Sequence, residues 1–182
     1  LSLFNLKQTD RYGVLEVGMD KKGEIDYLTK IIKPDLGIIT NISYAHSKNF
    51  KSIKHIAKAK AEIMNNIKKN GIIVLNKDDN FYEYHKNFAL KKKLRVISFG
   101  IKNKYSITKL VKIKKIKSKY ELFINVDGKY VSFYSKNTNN SNTYNILATL
   151  AAISLYIDVN NLKKDIFLDI GSPNGRGNIL KV

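Results

Sequence analysis

Apolar positions along the chain fall into short runs separated by stretches with helical spacing. "YGVLEVG" (12–18) is an apolar-rich run that predicts a short strand. "GEIDYLTKIIK" (23–33) sets Ile25, Leu28, Ile31 and Ile32 at helical spacing, and Pro34 ends it. "LGIITNI" (36–42) is continuously apolar, the pattern of a strand covered on both faces. "SIKHIAKAKAEIMNNIKK" (52–69) predicts a long helix, stopped by Asn70-Gly71. "IIVLN" (72–76) reads as a second buried strand, "DNFYEYHKNFALKKK" (79–93) as a helix and "LRVISFG" (94–100) as a further strand. Strands alternating with helices over short connections predict an α/β fold: a mainly parallel sheet with helices on both faces.

The pattern changes after residue 100. "YSITKLVKIKKIK", "YELFINV" and "KYVSFYS" are strand-like runs with no helix between them, and Asp127-Gly128 is a strong hairpin signal. They predict a small antiparallel section over 105–135. "TYNILATLAAISLYI" (143–157) predicts a buried helix and "LKKDIFLDI" (162–170) a shorter one, followed by the turn "GSPNGRG".

Open parallel sheets bind ligands outside the carboxyl ends of their strands. Strand 12–18 delivers Glu16 there, strand 36–42 delivers Asn41 and then His46, and strand 72–76 delivers Asn76 with Asp78 and Asp79. Glu16 lies between Leu15 and Val17, and a buried carboxylate needs a partner. That partner is either a helix lysine or a hard cation such as Mg²⁺. His46 is either an ordinary loop histidine or a ligand. Lys60 falls on the apolar stripe Ile53, Ile56, Ile63, Met64 and Ile67. It either snorkels to water or is desolvated, with a lowered pKa. In the second case its neutral amine would take up carbon dioxide to form a carbamate.

Composition narrows the field. The 182 residues suffice for one domain with a real core. No apolar stretch is long enough to span a membrane, and no targeting signal precedes the first strand, so a soluble cytoplasmic protein is expected. The absence of cysteine excludes disulfides, thiolate metal sites and cysteine nucleophiles. The net charge of +18 raises nucleic-acid binding. However, only Arg11, Arg95 and Arg176 are arginines, and the lysines are scattered among abundant Asn and Ile. Arginine forks, the preferred tools for base edges and phosphates, are nearly missing, so no nucleic-acid partner is expected. A phosphate loop needs G-x-x-x-x-G-K-[ST], but the sole Gly-Lys pair is Gly128-Lys129, with Phe123 at the first glycine position. Either the chain is not a phosphate-loop enzyme or that loop precedes Leu1.

Several segments resemble the Mur ligase family in order and spacing. "VLEVGMDKKGEI" is similar to E-[LMV]-G-x-x-x-x-G-E-I, and "PDLGIITNISYAHSKNFKSIKHIAKAKAEI" to the N-[IV]-x-x-A-H segment with its following A-K-x-E-I. "GIIVLNKDD", "SNTYNILATLAA" and "PNGRG" resemble G-x-x-[IV]-x-N-x-D-[DN], H-N-[IV]-x-N-x-L-A-A and P-x-G-R, with Ser141 where the family carries histidine. The likeness is strongest to the branch that adds D-alanyl-D-alanine to UDP-MurNAc-tripeptide. It implies an ATP- and Mg²⁺-dependent ligase of peptidoglycan precursor synthesis, working through an acyl phosphate, in the cytoplasm of a bacterium. The resemblance assigns Glu16, His46 and carbamylated Lys60 to Mg²⁺, Asn76 and Asn142 to the adenine and ribose of ATP, and Arg176 to the phosphates. It implies that residues 1–182 are part of a central ATP-binding domain: parallel units over 1–100, antiparallel strands over 105–135, and a helical segment with its GRG turn over 140–182. The phosphate loop, the N-terminal UDP-sugar domain and the C-terminal domain would lie outside. Such a piece is expected to be monomeric and inactive alone. A sibling ligase of the cyanophycin synthetase or folylpolyglutamate synthase type, or a basic nucleic-acid-binding module, is the alternative.

Overall fold

The structure, a computed structural model, describes residues 6–43 and 49–168. Its elements are α1 (Glu24–Ile32), β1 (Leu36–Ile39), α2 (Ile53–Ala61), β2 (Ile72–Asn76), α3 (Tyr82–Lys91), β3 (Arg95–Gly100), β4 (Thr108–Ile116), β5 (Lys119–Val126), β6 (Lys129–Ser135) and α4 (Asn140–Ile153). Short 3₁₀ turns follow α2 (Glu62–Asn65) and α4 (Val159–Asn161).

The six strands form one sheet in chain order. β1–β2, β2–β3 and β3–β4 pair in parallel, β4–β5 and β5–β6 antiparallel. Parallel neighbours ordinarily need a crossover of a dozen or more residues. Here the β3–β4 link is short because β4 starts where β3 ends. Only Phe99–Thr108 and Gly100–Lys109 are paired, so the chain runs on without returning. β4 therefore passes the carboxyl edge of the parallel strands and carries the antiparallel ribbon beyond it.

Alternation along β2 sorts the core. Ile73 and Leu75 face a cluster containing Ile25 of α1, Ile56 of α2 and Ala89 of α3. Val74 faces the other way, into a cluster with Leu147, Leu150 and Ala151 of α4. Helices thus cover both faces, as the alternation predicted. Each fully buried aliphatic side chain contributes roughly 1.5–3 kcal/mol, so these two clusters dominate the stabilising side. The start of β2 is packed tightly against backbone. A Cβ on Gly71 would meet Ile67, the Asp35 carbonyl at 2.7 Å and the Lys68 carbonyl at 2.8 Å.

Four expectations change. Residues 12–18 form no strand, and Glu16 is exposed rather than buried. Apolar composition permits a strand, but only a neighbour that completes the ladder makes one, and 12–18 has none among the described residues. Val17 and Met19 still pack on the α1–α3 core. The helix expected over 52–69 is α-helical only to Ala61. Beyond it, Asn65 and Asn66 turn their carboxamides onto α1, at Asp26 and Thr29, in place of continuing the helix. The helix expected from 143 begins at Asn140 because Asn139 caps it, its side chain accepting from the Asn142 N–H at 2.7 Å. Its C-terminal end is Ile153, not 157. The helix expected over 162–170 is a series of turns through 168. There the Lys164 carbonyl accepts from the Tyr134 N–H at the edge of β6.

Candidate active site

β1 and β2 end side by side, and three side chains converge on the backbone that leaves β1. Asn76, the last residue of β2, donates from Nδ2 to the Thr40 carbonyl at 3.2 Å. Lys60 of α2 donates from Nζ to the Asn41 carbonyl at 2.8 Å. Asp79, in the turn after β2, accepts from the Ile42 N–H at 2.9 Å. Residues 40–42 are thus held at three successive backbone positions by β2, the turn after it and α2. His46 and Arg176 lie outside the described residues.

The turn after β2 is itself ordered by the Asn76 carboxamide and the Asp79 carboxylate. Asn76 Oδ1 accepts from the Asp78 N–H at 3.0 Å, and Asp79 Oδ1 from the Phe81 N–H at 2.8 Å. Asp78 reaches across to the link between β3 and β4. It accepts from the N–H groups of Ile101 (2.6 Å), Lys102 (2.8 Å) and Asn103 (2.8 Å), and from the Tyr144 hydroxyl of α4 (3.0 Å). The close approach of that link explains Gly100, whose added Cβ would lie 2.7 Å from Ser106 Oγ and 3.1 Å from Asp78 Oδ1. Burial first, then the Asp78 charge and hydrogen bond, push the Tyr144 phenol up to about 12.

An open cleft of about 200 Å³ lies beside these groups, lined by Asn41, Ile42, Ile53, Asn76, Asp78, Asp79, Asn80, Phe81 and Tyr144, with Lys60 outside its lining. Tyr144 escaped the sequence reading. The signal for it was its place two residues after Asn142 at the start of a buried helix. Asn142 itself does not line the cleft: its Nδ2 donates to Ser135 Oγ at 3.0 Å, closing the turn from β6 into α4.

Lys60 is half-buried on the inner side of α2, between fully buried Ala59 and Ala61. Desolvation lowers its pKa below the ordinary lysine value, with the Asp79 charge opposing in part. An ammonium repels a cation, whereas a carbamate formed on this nitrogen would present anionic oxygens, the donor type that Mg²⁺ takes. Glu16 stands exposed on the segment before α1. Among the described residues no three His, Asp or Glu side chains gather into a metal-holding group. Among them, too, no helix is long and apolar enough to cross a membrane.

Behind α2, His85 of α3 is buried, and its Nε2–H donates to the Ala57 carbonyl at 2.9 Å. Burial pushes its pKa down, while that bond and the Asp79 charge oppose the shift. His85 thus braces the helix one turn before Lys60.

The sequence matches the Mur ligase middle domain over residues 1–153. The chain belongs to the Mur ligase family. Across its whole length this Mur ligase chain is 32% identical, over 195 aligned residues, to the UDP-N-acetylmuramoyl-tripeptide–D-alanyl-D-alanine ligase of Rickettsia prowazekii (strain Madrid E), covering 40% of that protein. Its fold is that of MurF from Acinetobacter baumannii, with a TM-score of 0.85 at 23% identity, over 99% of this chain and 39% of that one. MurF from Thermotoga maritima, solved in complex with ADP, gives a TM-score of 0.69 at 20% identity, over 89% of this chain and 36% of that one. The Mur ligase chain described here thus spans about 40% of the length of that curated relative.

Proposed function

We propose that the complete protein is an ATP-dependent ligase. It would join D-alanyl-D-alanine to UDP-MurNAc-tripeptide in peptidoglycan precursor synthesis, and this chain would form part of its ATP-binding middle domain. The observation that carries this reading is the convergence of Asn76, Asp79 and Lys60 on residues 40–42 at the carboxyl edge, in a chain of the Mur ligase family. The name of the Rickettsia relative supplies the substrates, and the ADP complex of the Thermotoga relative supplies the nucleotide.

The reaction balances in two steps. An oxygen of the tripeptide carboxylate attacks the γ-phosphorus of ATP, ADP leaves, and an acyl phosphate forms. The amine of D-alanyl-D-alanine then attacks the acyl carbon, phosphate leaves, and the nitrogen loses its proton. Charge accumulates on phosphoryl oxygens in the first step, so the site must hold cationic groups there. Bound Mg²⁺, held by Glu16, His46 and carbamylated Lys60, would supply that charge stabilisation. Of the protein's own groups, Asn76 orients the nucleotide from the floor of the cleft, and Asn142 sets the start of α4 beside it. Arg176 binds the phosphates. Asp78 and Asp79 hold the walls, and the Asn41 carbonyl keeps the Lys60 nitrogen turned toward the end of β1.

The remaining length of the relatives would carry the phosphate loop, the UDP-sugar domain and the C-terminal domain. The protein would act as a monomer in the bacterial cytoplasm, and these 182 residues alone would make no amide bond. Amide formation by the isolated chain would overturn that last statement. The reading as a whole is tested by ADP release from the complete protein that requires both substrates and is lost in Lys60→Ala.

A further inference from the structure

Two carboxylates connect the segment that carries Glu16 with the helix that carries Lys60. Glu24 accepts from the N–H groups of Asp20 (2.6 Å) and Lys21 (3.1 Å), closing the turn that follows Glu16. Glu62, buried and two residues after Lys60, accepts from the Gly23 N–H with both oxygens, at 3.0 and 2.9 Å, and from the Asp26 N–H at 3.4 Å. Gly23 caps α1 at φ 93°, a conformation that favours glycine, and offers no side-chain acceptor of its own. The open N–H groups of the first turn of α1 therefore take their acceptor from 39 residues along the chain. An anion at that end is further favoured by the helix dipole. Asn66 reinforces the joint, donating to the Asp26 carbonyl at 3.0 Å and to Thr29 Oγ1 at 3.0 Å.

Val17 and Met19 also anchor the Glu16 segment, through apolar contacts with the α1–α3 core. Such contacts are non-directional and hold the segment near the core without fixing its angle. A carboxylate with both oxygens on one N–H, at the junction of two elements, is directional.

We propose that Glu62 is a positioning residue whose carboxylate sets the placement of the Glu16 segment relative to Lys60. Its consequence for activity rests on the ligase reading, whereas the placement itself does not. Glu62→Gln keeps the volume but replaces one acceptor oxygen with an NH₂ that faces the same N–H groups. The packing should survive, and the joint should loosen as it loses one acceptor and the charge.

The test uses the complete protein with Val14→Cys and Lys58→Cys as a spin-label pair, other cysteines outside this chain being replaced by serine. Val14 is 93% exposed and Lys58 is exposed on α2. The parent should give one narrow distance distribution. Glu62→Gln should broaden or shift it while thermal unfolding stays cooperative. The Mg²⁺ concentration for half-maximal ligation should rise roughly 10- to 100-fold, as for other groups that orient ligands indirectly. A purely structural role would lower the melting temperature and leave that concentration unchanged. An unchanged distance distribution, or an unchanged Mg²⁺ requirement in an active protein, overturns the proposal. If the parent shows no ligation, the ligase reading fails and the distance measurement still decides the role of Glu62. Should Glu62→Gln not fold, Glu62→Asp keeps the charge and shortens the reach. It should shift the distance peak, and an unmoved peak overturns the proposal.

Discussion

Lys60 on α2 and Asn41 at the end of β1 are joined by a 2.8 Å hydrogen bond from the ammonium to the main-chain carbonyl. The bond ties a helix to the segment that runs on toward His46, and it holds a half-buried charge at a strand end with Asp79 as its nearby counter-charge.

Burial sets the direction of the Lys60 titration. Its folded pKa lies below 10.5, so the folded amine releases its proton before the unfolded one. Below the folded pKa both states are protonated and the folded state bears the cost of a desolvated ammonium. Stability should rise as pH climbs through the window up to 10.5. Melting curves of parent and Lys60→Met over that range should converge at low pH in slope and differ within the window. Parallel curves throughout would contradict the lowered pKa.

His85 gives a second pH signature, in acid. Its folded pKa is depressed below 6.5, so the unfolded state binds the proton first and stability should fall as pH drops below 6.5. The lowered carboxylates Glu24, Glu121 and Asp158 act in a separate, more acidic window below their ordinary values. His85→Leu should be less stable at neutral pH, by about 1 kcal/mol for the lost bond to Ala57. It should also flatten the decline between pH 6.5 and 5. A decline of parental steepness in His85→Leu would assign the effect elsewhere.

Asp78 gathers four donors, so its removal should be felt far from the turn that carries it. Asp78→Ala leaves three N–H groups of the β3–β4 link without their acceptor and should cost at least about 2 kcal/mol in urea unfolding. Tyr144→Phe should cost less, about 1 kcal/mol. The Tyr144 phenol keeps its proton to about 12 in the folded state, against 10.0 ordinarily. The unfolded state therefore loses its proton first, stability falls as pH rises through that interval, and Tyr144→Phe should lessen the fall.

The strand–helix alternation was legible because each parallel strand is an unbroken apolar run between helices of clear period. The bounds of β2 were read to the residue. Residues 12–18 misled because their apolar content says nothing of whether a ladder partner is present. The long helix at 52–69 misled for a related reason. Asn65 and Asn66 bond to α1, a tertiary preference invisible in local spacing. At the site, Asn76 and Lys60 were found as polar residues in apolar patterns, and the structure brings both to the end of β1. Glu62, His85 and Tyr144 were missed because each earns its place through a partner at least 28 positions away in the chain.

Gly71 tests the packing at the start of β2. Gly71→Ala places a methyl within reach of the Asp35 and Lys68 carbonyls, which are backbone and cannot rotate away. It should destabilise by about 1–3 kcal/mol. A neutral effect in thermal unfolding would show that the β1–β2 edge relaxes more readily than its contacts imply.

The measurement that bears most directly on the account is chemical rescue at Lys60 in the complete protein. ADP release dependent on UDP-MurNAc-tripeptide and D-alanyl-D-alanine is expected from the parent, to disappear in Lys60→Ala, and to return in part when formate or acetate supplies the missing carboxylate. Full activity of Lys60→Ala without any addition would contradict the role given to this lysine, and no substrate-dependent ADP release from the parent would contradict the ligase itself.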